Sequence, residues 1–281
     1  MTRRRDIEKH RHSLDEIRNI MNSMKNLSYM ETRKLNSFLD IHHSVARHIE
    51  KVAADFLSFY PDTLSKTTGT PVDVFLLIGT ERGFCGDFNH ALLRHFESIP
   101  ITEDKNKLHV IAVGHKLKTL LVNEEREIVF IDGASVAEEV SKVLNQVVTQ
   151  LSEIQEHAGL INLYVLYHDD ERQLIKQQLM PPFQNLLGNE TGEQHAPELN
   201  YDPEAFFIDL GYHYLFVVLY EILYTSLMAE SRQRMAHLEG AVQNMEEQSE
   251  ELKRQSNILR QEEIIEEIEV ILLSAASLDR Q

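Results

Sequence analysis

Helix breakers are distributed very unevenly along this chain. Residues 1–60 contain no glycine and no proline, residues 212–281 contain only Gly240, and all seven prolines lie between the two stretches. In a helix interior glycine costs about 1 kcal/mol and proline about 3 kcal/mol relative to alanine, so both stretches are free to form uninterrupted helices. At about 1.5 Å of rise per residue, the C-terminal one makes a rod on the order of 100 Å long. A rod of that length must bury its apolar stripe against a partner. The chain therefore reads as helices over 1–60 and 205–281 flanking a globular insert over 70–200.

Composition narrows the function classes. With 281 residues and 42% apolar content the chain holds enough material for a core. Its net charge of -17 argues against nucleic acid as a partner, because phosphate binding draws on Lys and Arg. Cys85 is the only cysteine, which excludes an intrachain disulfide. The basic start MTRRRDIEKHRH has no apolar core and carries Asp6 and Glu8, so it reads neither as a signal nor as a transit peptide. The run Leu215 to Met228 is interrupted by Glu221, and the expectation is a soluble chain without direct membrane insertion.

In the first stretch Leu14, Ile17, Met21, Met24, Leu35, Phe38, Val45, Ile49, Val52, Phe56 and Phe59 share one alternating three-four register, with Ser28, Glu31 and His42 as its polar members. In the last stretch Met235, Leu238, Val242, Met245, Leu252 and Leu259 repeat it, with Ser249 and Ser256. Two such seams predict one antiparallel coiled coil. The shorter N-terminal helix then runs out first, leaving roughly the last 15 to 25 residues of the other without a partner helix. Ile264, Ile265, Ile268, Ile271, Leu272 and Leu273 of that tip form an apolar patch suited to an external sleeve. Nine glutamates between Glu246 and Glu269 read as a solvated helix face.

The insert alternates short Val- and Ile-rich runs (VDVFLLIG, LHVIAVG, EIVFIDG, INLYVLY) with helical patterns (HALLRHFES, HKLKTLLV, SVAEEVSKVLNQVVTQLSEIQE). That order predicts an α/β, Rossmann-like domain with a largely parallel sheet. RQLIKQQLM fits a helix or an edge strand equally. GTERGFCG has neither the dinucleotide spacing nor a GxxxxGK[ST] loop. Cys85 with His90 and His95 has the residue types of a nucleophile and base, but a cysteine after a buried strand is expected to be inert packing. The fourteen histidines form no ligand pattern, so no metal or cofactor is expected.

TERGFCGDFN (80–89) resembles the DRGLCGGFN signature of the gamma subunit of F-type rotary ATP synthases, through Arg82, Gly83, Cys85, Gly86 and Asn89. SLMAESRQRM (226–235) is similar to the family's SLASEHAARM. NILRQEEIIEEI (257–268) follows NKARQAAITQEI in Asn257, Arg260, Gln261, Ile264, Glu267 and Ile268. SMKNL (23–27) stands where the family has AMKMV, and LNYDPEAF (199–206) resembles the entry to its last helix. The resemblance spans nearly the whole chain.

It implies a non-catalytic central-stalk rotor, one copy inside a ring of three alpha and three beta subunits. The insert would meet the epsilon subunit and the membrane c-ring, peripheral to the cytoplasmic face of a bacterial plasma membrane. By the same resemblance Arg260 and Gln261 contact a beta-subunit loop, Met24 and Lys25 face the beta levers with Arg232 and Arg234 nearby, and Ile268, Ile271 and Leu272 form the upper bearing. Departures are Ser28 to Thr32 in place of a small-residue run, Asp87 for the second glycine of the signature, LLSAA at the tip, and the acidic run. These point to a divergent member, with a sodium-translocating type as the alternative. A nucleotide-binding enzyme with coiled-coil arms and a non-rotary adaptor are the other readings. Nucleotide turnover by the isolated chain marks the first, and a stoichiometry other than one per three catalytic partners marks the second.

Overall fold

The computed structural model describes residues 2–63, 71–100, 108–122, 127–169, 171–186, 197–200 and 202–278. Helix α1 spans Thr2–Phe59 and α5 spans Pro203–Leu278. Pro61 lacks a backbone N–H and disfavours helical geometry at Tyr60, which ends α1. α5 starts where the Asp202 carboxylate accepts the backbone N–H of Glu204 (3.0 Å) and of Ala205 (3.3 Å), with Pro203 at the first helical position. Tyr201, in the sequence match at the entry to this helix, lies outside the described residues, as does the predicted domain boundary at residue 70.

The chain divides into two compact units, residues 1–28 with 235–281, and residues 29–234. In the first, the cross-helix partners run in opposite order along the two helices. Arg4 pairs with Glu263 (3.0 Å), Ser256 donates to Glu8 (3.4 Å), Ser249 donates to Asp15 (3.2 Å), and Lys25 pairs with Glu239 (3.6 Å). The two helices are therefore antiparallel, and the polar seam members Ser249 and Ser256 are matched by carboxylates opposite. Leu238, Val242 and Ser256 are buried on α5 and Ser28 on α1, while Leu14, Met21, Met24, Met235, Met245, Leu252 and Leu259 are half-buried. Ile17, predicted inside the seam, is 43% exposed. Beyond the Arg4–Glu263 pair, Ile264, Ile265, Ile268, Val270, Ile271, Leu272 and Leu273 are exposed by 44% to 72%. Side chains after Leu273 lie outside the described residues.

In the second unit, β1 (Val72–Ile78), β2 (Leu108–Val113), β3 (Ile128–Ile131) and β4 (Ile161–His168) are parallel, and β5 (Leu174–Met180) is antiparallel. The ambiguous RQLIKQQLM is thus an edge strand. Sheet order is β3-β2-β1-β4-β5, so the direction of winding reverses between β1 and β4. Alternation along each strand separates two layers. Phe75, Leu77, Val110, Ala112 and Leu166 meet α2 (Phe88–Ser98) and α3 (His115–Leu121). Val74, Leu76, Ile78, Ile111, Val113, Leu163 and Val165 share a core with α4 (Val140–Ala158), with Leu35 and Ala46 of α1, and with Val218, Leu219, Ile222, Leu223 and Leu227 of α5. By length and composition α5 is apolar enough to cross a membrane, with a window of mean hydropathy 1.5, which corrects the expectation that Glu221 disqualifies it. One carboxylate is too little to offset so many aliphatic neighbours, and those named above are buried against the sheet.

The α1 seam drifts here. Val45 is exposed and Ala46 is buried, and Ala53 is fully buried where Val52 is only partly so. An α-helix has 3.6 residues per turn, so a strict seven-residue repeat rotates off the contact line by about 20° per repeat. The step of eleven from Leu35 to Ala46 restores it. At the end of α1, Phe56 packs against Tyr60, Phe206 and Phe207 with ring centroids 4.9 to 5.9 Å apart. Phe56 is 1% exposed. Phe56→Ala is expected to cost about 3–5 kcal/mol of stability. Chemical denaturation of the purified chain checks this, and an unchanged midpoint would place Phe56 outside the core.

Candidate functional site

The signature segment 80–89 comprises the loop after β1 and the first two residues of α2, at the point where the sheet reverses its winding. Gly79 opens it at a very close approach, since a Cβ there would lie 2.6 Å from Leu117 Cβ and 2.7 Å from Asn89 Oδ1. Asn89 closes the loop on itself. Its Oδ1 accepts the Thr80 N–H (3.0 Å) and its Nδ2 donates to Thr80 Oγ1 (2.9 Å). Gly86 has φ 58, which explains a glycine there. Asp87 has φ -86, so the departure from glycine at that position carries no backbone penalty. Its carboxylate pairs with Arg94 of α2, which holds it below the ordinary aspartate range. Phe84 takes φ 65 without being glycine, and its ring is exposed.

In doubly wound folds this crevice, with its free backbone N–H groups, is where anionic ligands sit. Here the chain fills it with its own carboxylates. Glu230 of α5 accepts the N–H of Glu81 (3.1 Å) and of Arg82 (3.1 Å) and is ion-paired to Arg234, whose Nε donates to the Gly83 carbonyl (3.2 Å). Both side chains of the pair are 4% exposed. Burial pushes the Glu230 carboxyl upward, opposed by Arg234 and by the two backbone donors. Glu81 in turn accepts the N–H of His115 (2.8 Å) and of Gly133 (2.7 Å), tying the loop to the chain just after β2 and β3. A phosphate entering here would meet two carboxylates on donors already used.

Cys85 is buried with Phe88 and Ala229. Its thiol faces the carbonyls of Arg82, Gly83 and Glu230 at 3.4 to 3.9 Å. Burial, reinforced by Glu230, pushes its pKa up to about 12, the opposite of an activated nucleophile. His168, at the end of β4, stacks on Phe88 with centroids 3.8 Å apart, and burial lowers its pKa to about 4.

The other residues singled out from the sequence fall elsewhere. Arg260 and Gln261 are exposed on α5, and Met24 and Lys25 are half-buried on α1, all in the two-helix unit. Ile268, Ile271 and Leu272 are exposed near the end of α5. Arg232 is half-buried in the second unit. Arg234 is turned inward onto Glu230 and Gly83 and is 4% exposed, because a buried carboxylate needs a counter-charge. Glu230 and Glu81 were not anticipated. The available signal was a carboxylate four residues before an arginine at the end of an apolar run, the helical spacing of an ion pair.

The chain thus combines a doubly wound domain whose crevice is filled by its own side chains with a long antiparallel helix pair. The family model described as ATP synthase matches residues 3–278, and the chain belongs to that family. It is 24% identical over 266 residues to the ATP synthase gamma chain of Clostridium botulinum strain Langeland, covering 92% of this chain and 93% of that one. To the ATP synthase gamma chain of Clostridium beijerinckii it is 24% identical over 97% of both chains. Its fold is similar to a chain of the Euglena gracilis mitochondrial ATP synthase OSCP/F1/c-ring assembly, with a TM-score of 0.60, 16% identity and coverage of 99% of this chain and 95% of that chain. A chain of the Tetrahymena thermophila mitochondrial ATP synthase central stalk and c-ring gives a TM-score of 0.57, 18% identity, and coverage of 79% and 99%.

Removing the Glu230 carboxylate strands Arg234 in the interior, so Glu230→Ala is expected to destabilise the chain by about 3–5 kcal/mol. It should also release the loop. Iodoacetamide labelling at pH 8 should be very slow for wild-type Cys85, whose burial beside Glu230 disfavours the thiolate, and clearly faster in the variant. Equal melting temperatures and equal labelling rates would show that the carboxylate does not hold the loop.

Proposed function

We propose that this chain is the central-stalk rotor of an F-type ATP synthase, one copy within three alpha and three beta subunits. It couples ion movement through a membrane c-ring to ATP synthesis or hydrolysis. In this reading the α/β domain faces the epsilon subunit and the c-ring, and the assembly is peripheral on the cytoplasmic face of a bacterial plasma membrane. The chain performs no chemistry itself. An asymmetric shaft biases otherwise identical catalytic sites toward different conformations through unequal contacts with each.

The observation that carries this reading is the exposed apolar end of α5 beyond the Arg4–Glu263 pair. Large exposed apolar patches mark interaction surfaces, and a surrounding sleeve would cover this one. Ile268, Ile271 and Leu272 supply the upper bearing. Arg260 and Gln261, both exposed just before that pair, supply the contact to a beta subunit. Met24 and Lys25 supply the lower shaft contact together with Arg232, while Arg234 is assigned to its internal pair.

In complexes reconstituted with this chain, native mass spectrometry should give one copy per three alpha and three beta subunits. Arg260→Ala with Gln261→Ala should keep that stoichiometry but lower ATP turnover and ion pumping about tenfold, the worth of one lost charge-assisted hydrogen bond. Wild-type rates in the double variant would remove Arg260 and Gln261 from the contact. A different stoichiometry would remove the rotor reading.

A further inference from the structure

If torque passes between the α/β domain and the long helices, apolar packing alone is a poor joint, because such contacts have little directionality. Directional bonds must resist the twist, and on the α5 side the Glu230 grip on residues 81 and 82 provides them. The α1 side has a counterpart in Glu31, which sits within the segment where the chain departs from the family's small residues. Its Oε1 accepts the backbone N–H of Ala137 at 2.7 Å. Ala137 opens the short 3-10 turn Ala137–Glu139 that leads directly into α4. A carboxylate at such a helix entrance also meets the positive end of the backbone dipoles.

One turn along α1 on the same face, Lys34 pairs with Glu138, the residue after Ala137. The pairing holds Glu138 below and Lys34 above their ordinary pKa values. Beneath both straps Leu35 is fully buried in one core with Ala137 and Val140. Two polar bonds to consecutive residues thus bracket an apolar contact that has little directionality of its own.

We infer that Glu31 is a positioning residue whose bond to Ala137, backed by the Lys34–Glu138 pair, locks the rotational setting of the α/β domain on α1 and carries torsional load across that joint. This rests on the rotor reading above. Glu230 on α5 and Glu31 on α1 then fix the domain to both helices, and two separate anchors resist a twist that a single one would allow.

The test uses the assembled complex with the catalytic subunits fixed to a surface and a bead on the α/β domain, recording angular fluctuation during catalytic dwells. Glu31→Ala combined with Lys34→Ala should raise the angular variance roughly two-fold or more while the complex still assembles and hydrolyses ATP. Glu31→Gln keeps an acceptor oxygen for the Ala137 N–H and should retain wild-type variance. Lys34→Glu alone should loosen the joint, and adding Glu138→Lys should restore it. Unchanged variance in the double alanine variant, or a charge-swapped pair no stiffer than Lys34→Glu alone, would overturn the inference, as would a Glu31→Gln variant as loose as the alanine one. Failure of the wild-type chain to assemble as one copy per ring would instead reject the rotor reading itself.

Discussion

A carboxylate buried as fully as that of Glu230 is tolerated only with its hydrogen bonds and a counter-charge supplied. The donors come from the loop after β1 and from Arg234, four residues on. Meeting that demand sets several features at once. The loop is held in a conformation with positive φ at Phe84 and Gly86, Cys85 is sealed beneath it, and Arg234 is drawn inward. Glu81, held in the same loop, extends the grip to the chain following β2 and β3. The C-terminal edge of the sheet is thereby closed by the protein's own negative charges, in the place where a doubly wound domain ordinarily receives a ligand.

The two layers of the domain serve that closure differently. α2 and α3 cover one face with a core of ordinary α/β type. On the other face α4 shares its core with segments of α1 and α5, so the long helices are structural members of the domain and not appendages to it. The division of the chain into two units accordingly falls inside both helices, between Ser28 and Tyr29 and between Arg234 and Met235.

Much of this was legible in the sequence because it depends on local signals. The absence of glycine and proline marked both long helices, and alternation of apolar runs with helical patterns marked the parallel strands. The α5 seam from Met235 to Leu259 follows the simple register, while the α1 seam departs from it at Val45, where a small residue beside it allows closer approach. β5 was undecided because an edge strand is only partly buried and loses its periodic signature. The site was harder to read. Glu230, Glu81 and Glu31 act through backbone N–H groups remote in sequence, and a carboxylate bonded to backbone has the same residue type as one on a solvated surface. Family resemblance marked the loop and placed Arg234 near the lower shaft position, while its ion pair to Glu230 and its bond to the Gly83 carbonyl came only from the structure.

Among the described residues the crevice of this α/β domain is filled by Glu81 and Glu230, which leaves no vacant place there for a nucleotide. Isothermal titration of the purified chain with MgATP tests it most directly. No heat of binding is expected up to millimolar nucleotide, with Glu81 and Glu230 already on the backbone donors that a phosphate would need. Saturable binding at micromolar MgATP, abolished by competing ADP, would contradict it.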